Sequence, residues 1–137
     1  MLRELGIGLV PFAPLGRGFL TGVAKRAEEY PEGDFRRTND PRLQGENFDR
    51  NMAAAETVRQ FAKRKGAKPG QIALAWLLHK GGDIVPIPGT KRRSYLEENV
   101  GAASIRLTAA EVAELDRALP TVAGPRYTAA SAAMVDR

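Results

Sequence analysis

The sequence predicts an α/β fold with parallel strands, on three observations. Two short runs, residues 6–12 and 83–88, are apolar nearly throughout, as strands covered on both faces are. Helical patterns fill the chain between and after them. Each run also leads into a glycine-containing loop, and ligands of α/β sheets and barrels sit at the carboxyl ends of parallel strands.

Length and composition bound the answer. The 137 residues allow one domain with a modest core. With 43% hydrophobic and 27% charged residues, the chain is ordinary globular material. Its longest apolar run, residues 72–78, is far too short for a membrane span. The opening Met1-Leu2-Arg3-Glu4 and the glycine-rich run after it lack the pattern of a secretory leader. Without cysteine there is no disulfide, thiolate metal site or cysteine nucleophile, which suits a reducing cytoplasm. The net charge of +5 admits nucleic acid, a membrane surface or an anionic ligand. No aromatic residues interleave with the basic cluster as a base-stacking platform requires, and no lysine-rich amphipathic helix is present. A local anion site is therefore expected, with no nucleic-acid or membrane partner.

The elements follow in order. Residues 6–12 read as a buried strand, and residues 13–22 as a loop punctuated by Gly16, Gly18 and Gly22. Residues 25–47 are polar, carry Pro31, Gly33, Pro41 and Gly45, and keep no period. A loop that long is a lid, a binding loop or disordered. From about residue 49 to 65, Met52, Ala55, Val58 and Ala62 recur at helical spacing, and Gly66 stops the helix. Pro69 suits the first turn of a second, mostly buried helix that runs to about His79. Gly81 and Gly82 end it, and residues 83–88 form the second strand. Ser94 with Glu97 forms a capping box that opens a helix to about Gly101. Thr108 with Glu111 forms another, for a helix that buries Val112, Leu115 and Leu119 and ends at Pro120. Residues 121–137 show no clear period. Two five-residue strands make a marginal sheet alone, so part of the architecture is missing from what can be read.

Two places carry chemistry. In the first, Gly89, Thr90, Lys91, Arg92 and Arg93 stand directly before a helix start, where the dipole favours negative charge. A bound anion would remove that conflict, taking charge from the cations and hydrogen bonds from the first turn. The alternative is a solvated cationic loop. One turn on, Glu98 and Asn99 could hydrogen-bond a heterocycle; otherwise they are surface residues. In the second, Gly16 and Gly18 leave backbone N–H groups open and Arg17 can bind phosphate bidentately, while the alternative is an ordinary tight turn. Together the two loops match the phosphate site that β/α barrels build after their last two strands. His79 reads as a helix cap or surface residue, and Trp76 as core. Tyr30, Tyr95 and Tyr127 have no evident neighbour to lower a phenol pKa, so none is assigned to catalysis. No metal-ligand spacing or nucleophile elbow occurs.

Residues 11–22, 73–78 and 84–92 resemble the carboxyl-terminal part of an aldo/keto reductase. Residues 34–37 and 44–48, and the ending near Gly124-Pro125-Arg126-Tyr127, resemble that family's bacterial and plant branch. The resemblance covers nearly the whole chain in order. It implies a (β/α)₈ barrel that reduces aldehydes and ketones with NADPH. By resemblance, Leu15, Gly16 and Arg17 would line the pyrophosphate, and Gly18 of the same loop is expected to bind the coenzyme with them. Gly89, Thr90, Lys91 and Arg92 would hold the adenosine 2′-phosphate, and Glu98 and Asn99 the adenine. At Tyr95 many relatives carry an arginine for the 2′-phosphate, a charge that Lys91 or Arg92 would have to supply; NADP is expected over NAD.

The resemblance also implies an absence. No segment here matches the family's catalytic aspartate, tyrosine, lysine and histidine, which lie in its amino-terminal half. A barrel of about 250 residues uses roughly thirty per strand–helix unit. The expectation is thus a partial barrel: the last two strand–helix units plus carboxyl-terminal helices, in an amino-terminally truncated chain. Such a chain would hold NADP(H), lack its own catalytic residues and self-associate through open barrel edges. The alternative is a non-catalytic nucleotide-binding remnant.

Overall fold

Two backbone pairings join the apolar runs side by side and parallel, Leu9 with Ile84 and Phe12 with Ile87, in a computed structural model that describes residues 1–135. Leu9 N–H donates to Asp83 (2.7 Å), Val85 N–H to Leu9 (2.9 Å) and Ile87 N–H to Pro11 (3.2 Å). The register is that of a parallel ladder, in which the next donor would be residue 11. Pro11 has no N–H, so the ladder breaks there. The result is two isolated bridges, a correction to the continuous strands that were expected. Burial is corrected as well. Ile7, Leu9, Val10, Phe12, Val85 and Ile87 are each 43–58% exposed. The pair has no further strand on either side among the described residues, so its apolar side chains find nothing to cover them.

The helices carry the core. They are α1 (Phe35–Thr38), α2 (Gly45–Lys65), α3 (Pro69–His79), α4 (Arg93–Gly101), α5 (Ala109–Ala118) and α6 (Ala129–Ala132). The main cluster joins Val58, Phe61 and Ala62 of α2, Ile72 and Ala75 of α3, Leu107, and Leu115 of α5. Gly66 ends α2 in the left-handed region (φ 63°), where its N–H caps the last turn as a glycine there can without strain. The helix starts four residues before the expected position. Its first turns face inward with Asn47 and Asn51, which apolar spacing does not register.

Caps divide into one kept and one lost. Thr108 Oγ accepts the Glu111 N–H (3.2 Å) and Glu111 returns a bond to the Thr108 N–H (2.8 Å), as the capping box requires. We expect Thr108→Ala to cost about 1 kcal/mol, read as a shifted urea midpoint at unchanged slope. The Ser94–Glu97 box does not form. Here α4 begins at Arg93 with Arg92 as its cap residue, Thr90 Oγ accepts the Arg92 N–H (3.1 Å), and Arg93 Nε engages Glu97 (2.9 Å). At the other end, Pro120 holds Leu119 out of helical conformation (φ −77°, ψ 117°), so α5 closes at Ala118.

Segment 25–47 is folded. Its 3₁₀ turns Ala27–Glu29 and Pro41–Leu43 and the short α1 bury Ala27, Tyr30 and Leu43 as an apolar cluster separate from the main one. Trp76 is half-buried against the main core and donates its indole N–H to Asp116 (2.8 Å). His79 does more than cap. Its Nε2 accepts the Leu107 N–H (3.2 Å), which leaves Nδ1 to donate to Ala75 (2.8 Å), so a neutral imidazole joins α3 to the turn before α5. The tail, unreadable by period, forms α6 behind a Thr128 cap; residues 136 and 137, also in that stretch, lie outside the described residues.

Candidate functional site

Five residues of the first loop take positive φ: Ala13 (46°), Gly16 (59°), Arg17 (57°), Gly18 (98°) and Gly22 (76°). Only glycine does this without cost, so Ala13 and Arg17 are held there by their surroundings. The turn is closed by the Leu15 carbonyl, which accepts from both Gly18 and Leu20 (3.2 Å each), and the Gly16 N–H goes to Ala13 (3.0 Å), so the two glycine N–H groups are spent inside the turn and not open to a ligand as expected. A Cβ at position 16 would stand 3.3 Å from the Cβ of buried Phe19, whereas one at 18 would enter open space.

That open space is a groove of about 790 Å³ between the first loop, the corner at 87–90, and the starts of α3 and α4. Leu15, Arg17, Gly18, Gly89, Thr90, Tyr95, Glu98 and Asn99 all line it. Tyr95, Glu98 and Asn99 share one face of α4, as spacings of three and four residues dictate. The volume lies within the range of small-molecule sites.

Three expected residues lie elsewhere. Gly16 lines a smaller cavity of about 240 Å³ beside Phe12, Asp40 and Arg126. Lys91 and Arg92 stand outside the groove in solvent, next to Thr90. The Arg92 guanidinium lies over the Tyr95 ring (5.4 Å) and donates to its hydroxyl (3.4 Å).

The Arg17 side chain is also not free for bidentate phosphate binding. It pairs with Asp40, 3.0 Å away and 3% exposed, with Phe35 at 4.6 Å and Tyr127 at 5.9 Å from its guanidinium. What Arg17 offers the groove without breaking that pair is backbone.

Sequence reasoning missed Thr21, Val23, Arg36, Lys68 and Pro69, which also line the groove. Arg36 stacks on Tyr30 (4.0 Å) and donates to both carboxylate oxygens of Asp34 (3.0 and 2.7 Å). Those bonds hold the Asp34 carboxyl down at about 2. Asp34 also caps α1 through the Arg36 N–H (2.9 Å). A signal for Arg36 existed, an Asp two residues before an Arg at a helix start, but nothing in it pointed to a groove. Lys68 precedes Pro69 at the start of α3 and joins no ion pair among the described residues. Among the described residues there is also no group of three or more candidate metal ligands.

A groove of small-molecule size between two glycine loops, at the carboxyl ends of paired parallel segments, has the placement of the ligand end of an α/β protein. The comparisons name which kind. The sequence profile of the Aldo/keto reductase family matches residues 1–120, and the chain belongs to that family. It is 50% identical over 127 residues to the aldo-keto reductase yakc [NADP(+)] of Schizosaccharomyces pombe, covering 91% of this chain and 37% of that one. It is 47% identical over 111 residues to the aldo-keto reductase str7 of Strobilurus tenacellus, covering 81% and 33%. The chain thus spans about a third of the length of these relatives.

Solved structures agree. The glycerol dehydrogenase AKR11B4 of Gluconobacter oxydans superposes with TM-score 0.76 at 24% identity, over 90% of this chain and 38% of its own, a likeness of fold. The thermostable aldo-keto reductase Tm1743, in complex with epalrestat, gives TM-score 0.55 at 27% identity, over 85% and 31%. No helix among the described residues is long and apolar enough to cross a membrane.

Proposed function

We propose that this chain is the coenzyme-holding end of an NADP-dependent aldo/keto reductase. It would correspond to the last two strand–helix units of a (β/α)₈ barrel with its carboxyl-terminal helices, acting in the cytoplasm. The observation that carries the reading is the groove, where eight of the eleven residues expected to hold coenzyme meet across two loops distant in sequence. The exposed apolar faces of residues 7–12 and 85–87 support it, since they have the character of barrel interior left without its neighbouring strands.

The residues fit the coenzyme in kind. Backbone at Leu15, Arg17 and Gly18 provides a close approach for the pyrophosphate, because no Cβ at 18 fills the groove. Gly89 and Thr90 form the opposite corner, with Lys91 and Arg92 beside them supplying positive charge for the 2′-phosphate. Arg92 is steadied by the Tyr95 ring beneath it, which lets it stand in for the arginine that many relatives carry at position 95. Glu98 and Asn99 face the groove from the same helix and would bond the adenine edge. When bound, NADPH supplies the hydride that reduces a carbonyl carbon to an alcohol. On this reading the proton that completes the step comes from an acid that this chain does not carry, and the chain alone would hold coenzyme without turning over an aldehyde or ketone. Copies of the chain would associate through the open edges of the paired segments.

Titration calorimetry tests the reading. NADPH should bind, and Lys91→Ala with Arg92→Ala should weaken it roughly ten- to hundredfold and flatten its salt dependence, with NADH unaffected. Equal affinities before and after the substitutions would reject the 2′-phosphate assignment. Lack of uptake of either coenzyme by folded protein would reject the whole proposal, and reduction of a test aldehyde by the chain would reject its catalytic incompleteness.

A further inference from the structure

We infer that Gln71 is a positioning residue that sets the adenine-facing wall of the groove by capping α4 from α3. The inference rests on the coenzyme reading of that groove. Gln71 is the third residue of α3, and both ends of its amide are used. Its Oε1 accepts the Lys68 N–H (3.1 Å), one of the orphan donors at the start of α3. Its Nε2 crosses to α4 and donates to the Glu98 carbonyl (3.0 Å).

That carbonyl needs a partner for a local reason. The last turn of α4 tightens into the 3₁₀ turn Ala102–Ser104, and the Ala102 N–H goes to the carbonyls of Asn99 and Val100. The Ala102 N–H would serve Glu98 in a continuing α-helix, so the Glu98 carbonyl is left for a side chain to satisfy. One amide thus joins Lys68 on one wall of the groove to Glu98 on the other, with Asn99 adjacent.

Gly101 makes room for this bond. Its backbone is helical (φ −58°, ψ −21°), so conformation does not require glycine there. A Cβ at 101 would instead stand 2.8 Å from Gln71 Nε2, too close for the amide to remain. An alanine that ordinarily favours a helix should here act like the loss of Gln71.

The test compares the two ends of the coenzyme, using the 137-residue chain with 2′,5′-ADP and with reduced nicotinamide mononucleotide as separate probes. Gln71→Leu should weaken 2′,5′-ADP about five- to tenfold and leave the mononucleotide unchanged. Gln71→Glu keeps the acceptor for Lys68 but has no donor for Glu98, and should show the same asymmetry if the leucine variant does not fold. Gly101→Ala should reproduce the loss, and joining it to Gln71→Leu should add nothing, since both remove one bond. Equal weakening of both probes would mark Gln71 as merely structural and overturn the inference. So would additive losses, or unchanged 2′,5′-ADP affinity in the variants. Failure of the unsubstituted chain to bind 2′,5′-ADP would overturn the coenzyme reading together with it.

Discussion

Arg17→Ala should lower the stability of this chain by roughly 3–5 kcal/mol, the cost of leaving a buried carboxylate without its counter-ion. Asp40 is 3% exposed; besides Arg17 at 3.0 Å, the donor found at its carboxylate is the Arg42 N–H at 3.3 Å. The guanidinium also fills the space between Phe35 and Tyr127, so its removal loosens contacts that hold α1 and the tail to the glycine loop. Two companion variants separate charge from backbone. Arg17→Gly loses the same pair but relieves a left-handed residue (φ 57°), and should recover about 1 kcal/mol relative to alanine. Adding Asp40→Asn to Arg17→Ala should recover more, because the uncompensated charge is gone. Urea melts of the four proteins read all three effects. A cost for Arg17→Ala below about 1 kcal/mol would show the pair to be no stronger than a surface ion pair.

Asn51→Leu should cost about 3 kcal/mol, through the polar groups it strands rather than the volume it changes. Asn51 is 2% exposed and donates to the carbonyls of Arg42 (3.0 Å) and Ala123 (2.9 Å), while its Oδ1 accepts the Ala123 N–H (2.7 Å). A leucine would meet those three backbone groups with nothing to offer them. The tail beyond Leu119 has little else that is buried, so its release should precede global unfolding. Amide exchange at Ala123 should rise far more than at Ile72 or Ala75 in the main core. Equal acceleration at all three positions would mean that Asn51 supports the whole fold and not the tail alone.

The sequence was most legible where one residue type has one physical use. Gly66 ends α2, Pro69 opens α3, and Thr108 and Glu111 cap α5, because each acts on backbone within four residues of itself. Ser94 and Glu97 have the same letters as a capping box, yet Arg93 takes Glu97 and Thr90 takes the cap's N–H. A pattern of types does not record competition for the same group. The lengths of the apolar runs showed two extended segments but not their exposure, since burial depends on what lies across from them.

The membership in the aldo/keto reductase family and the two loops of the groove were present in the order of residues alone. Glycines that permit close approach and cations ahead of a helix start are local properties, and local properties are written in one dimension. Tertiary structure alone decided that Arg17 answers to Asp40, that Asn51 holds Ala123 across 72 positions, and that Gln71 reaches Glu98 across 27. Those choices are made by which donor reaches which acceptor once helices pack, and no spacing rule carries that distance.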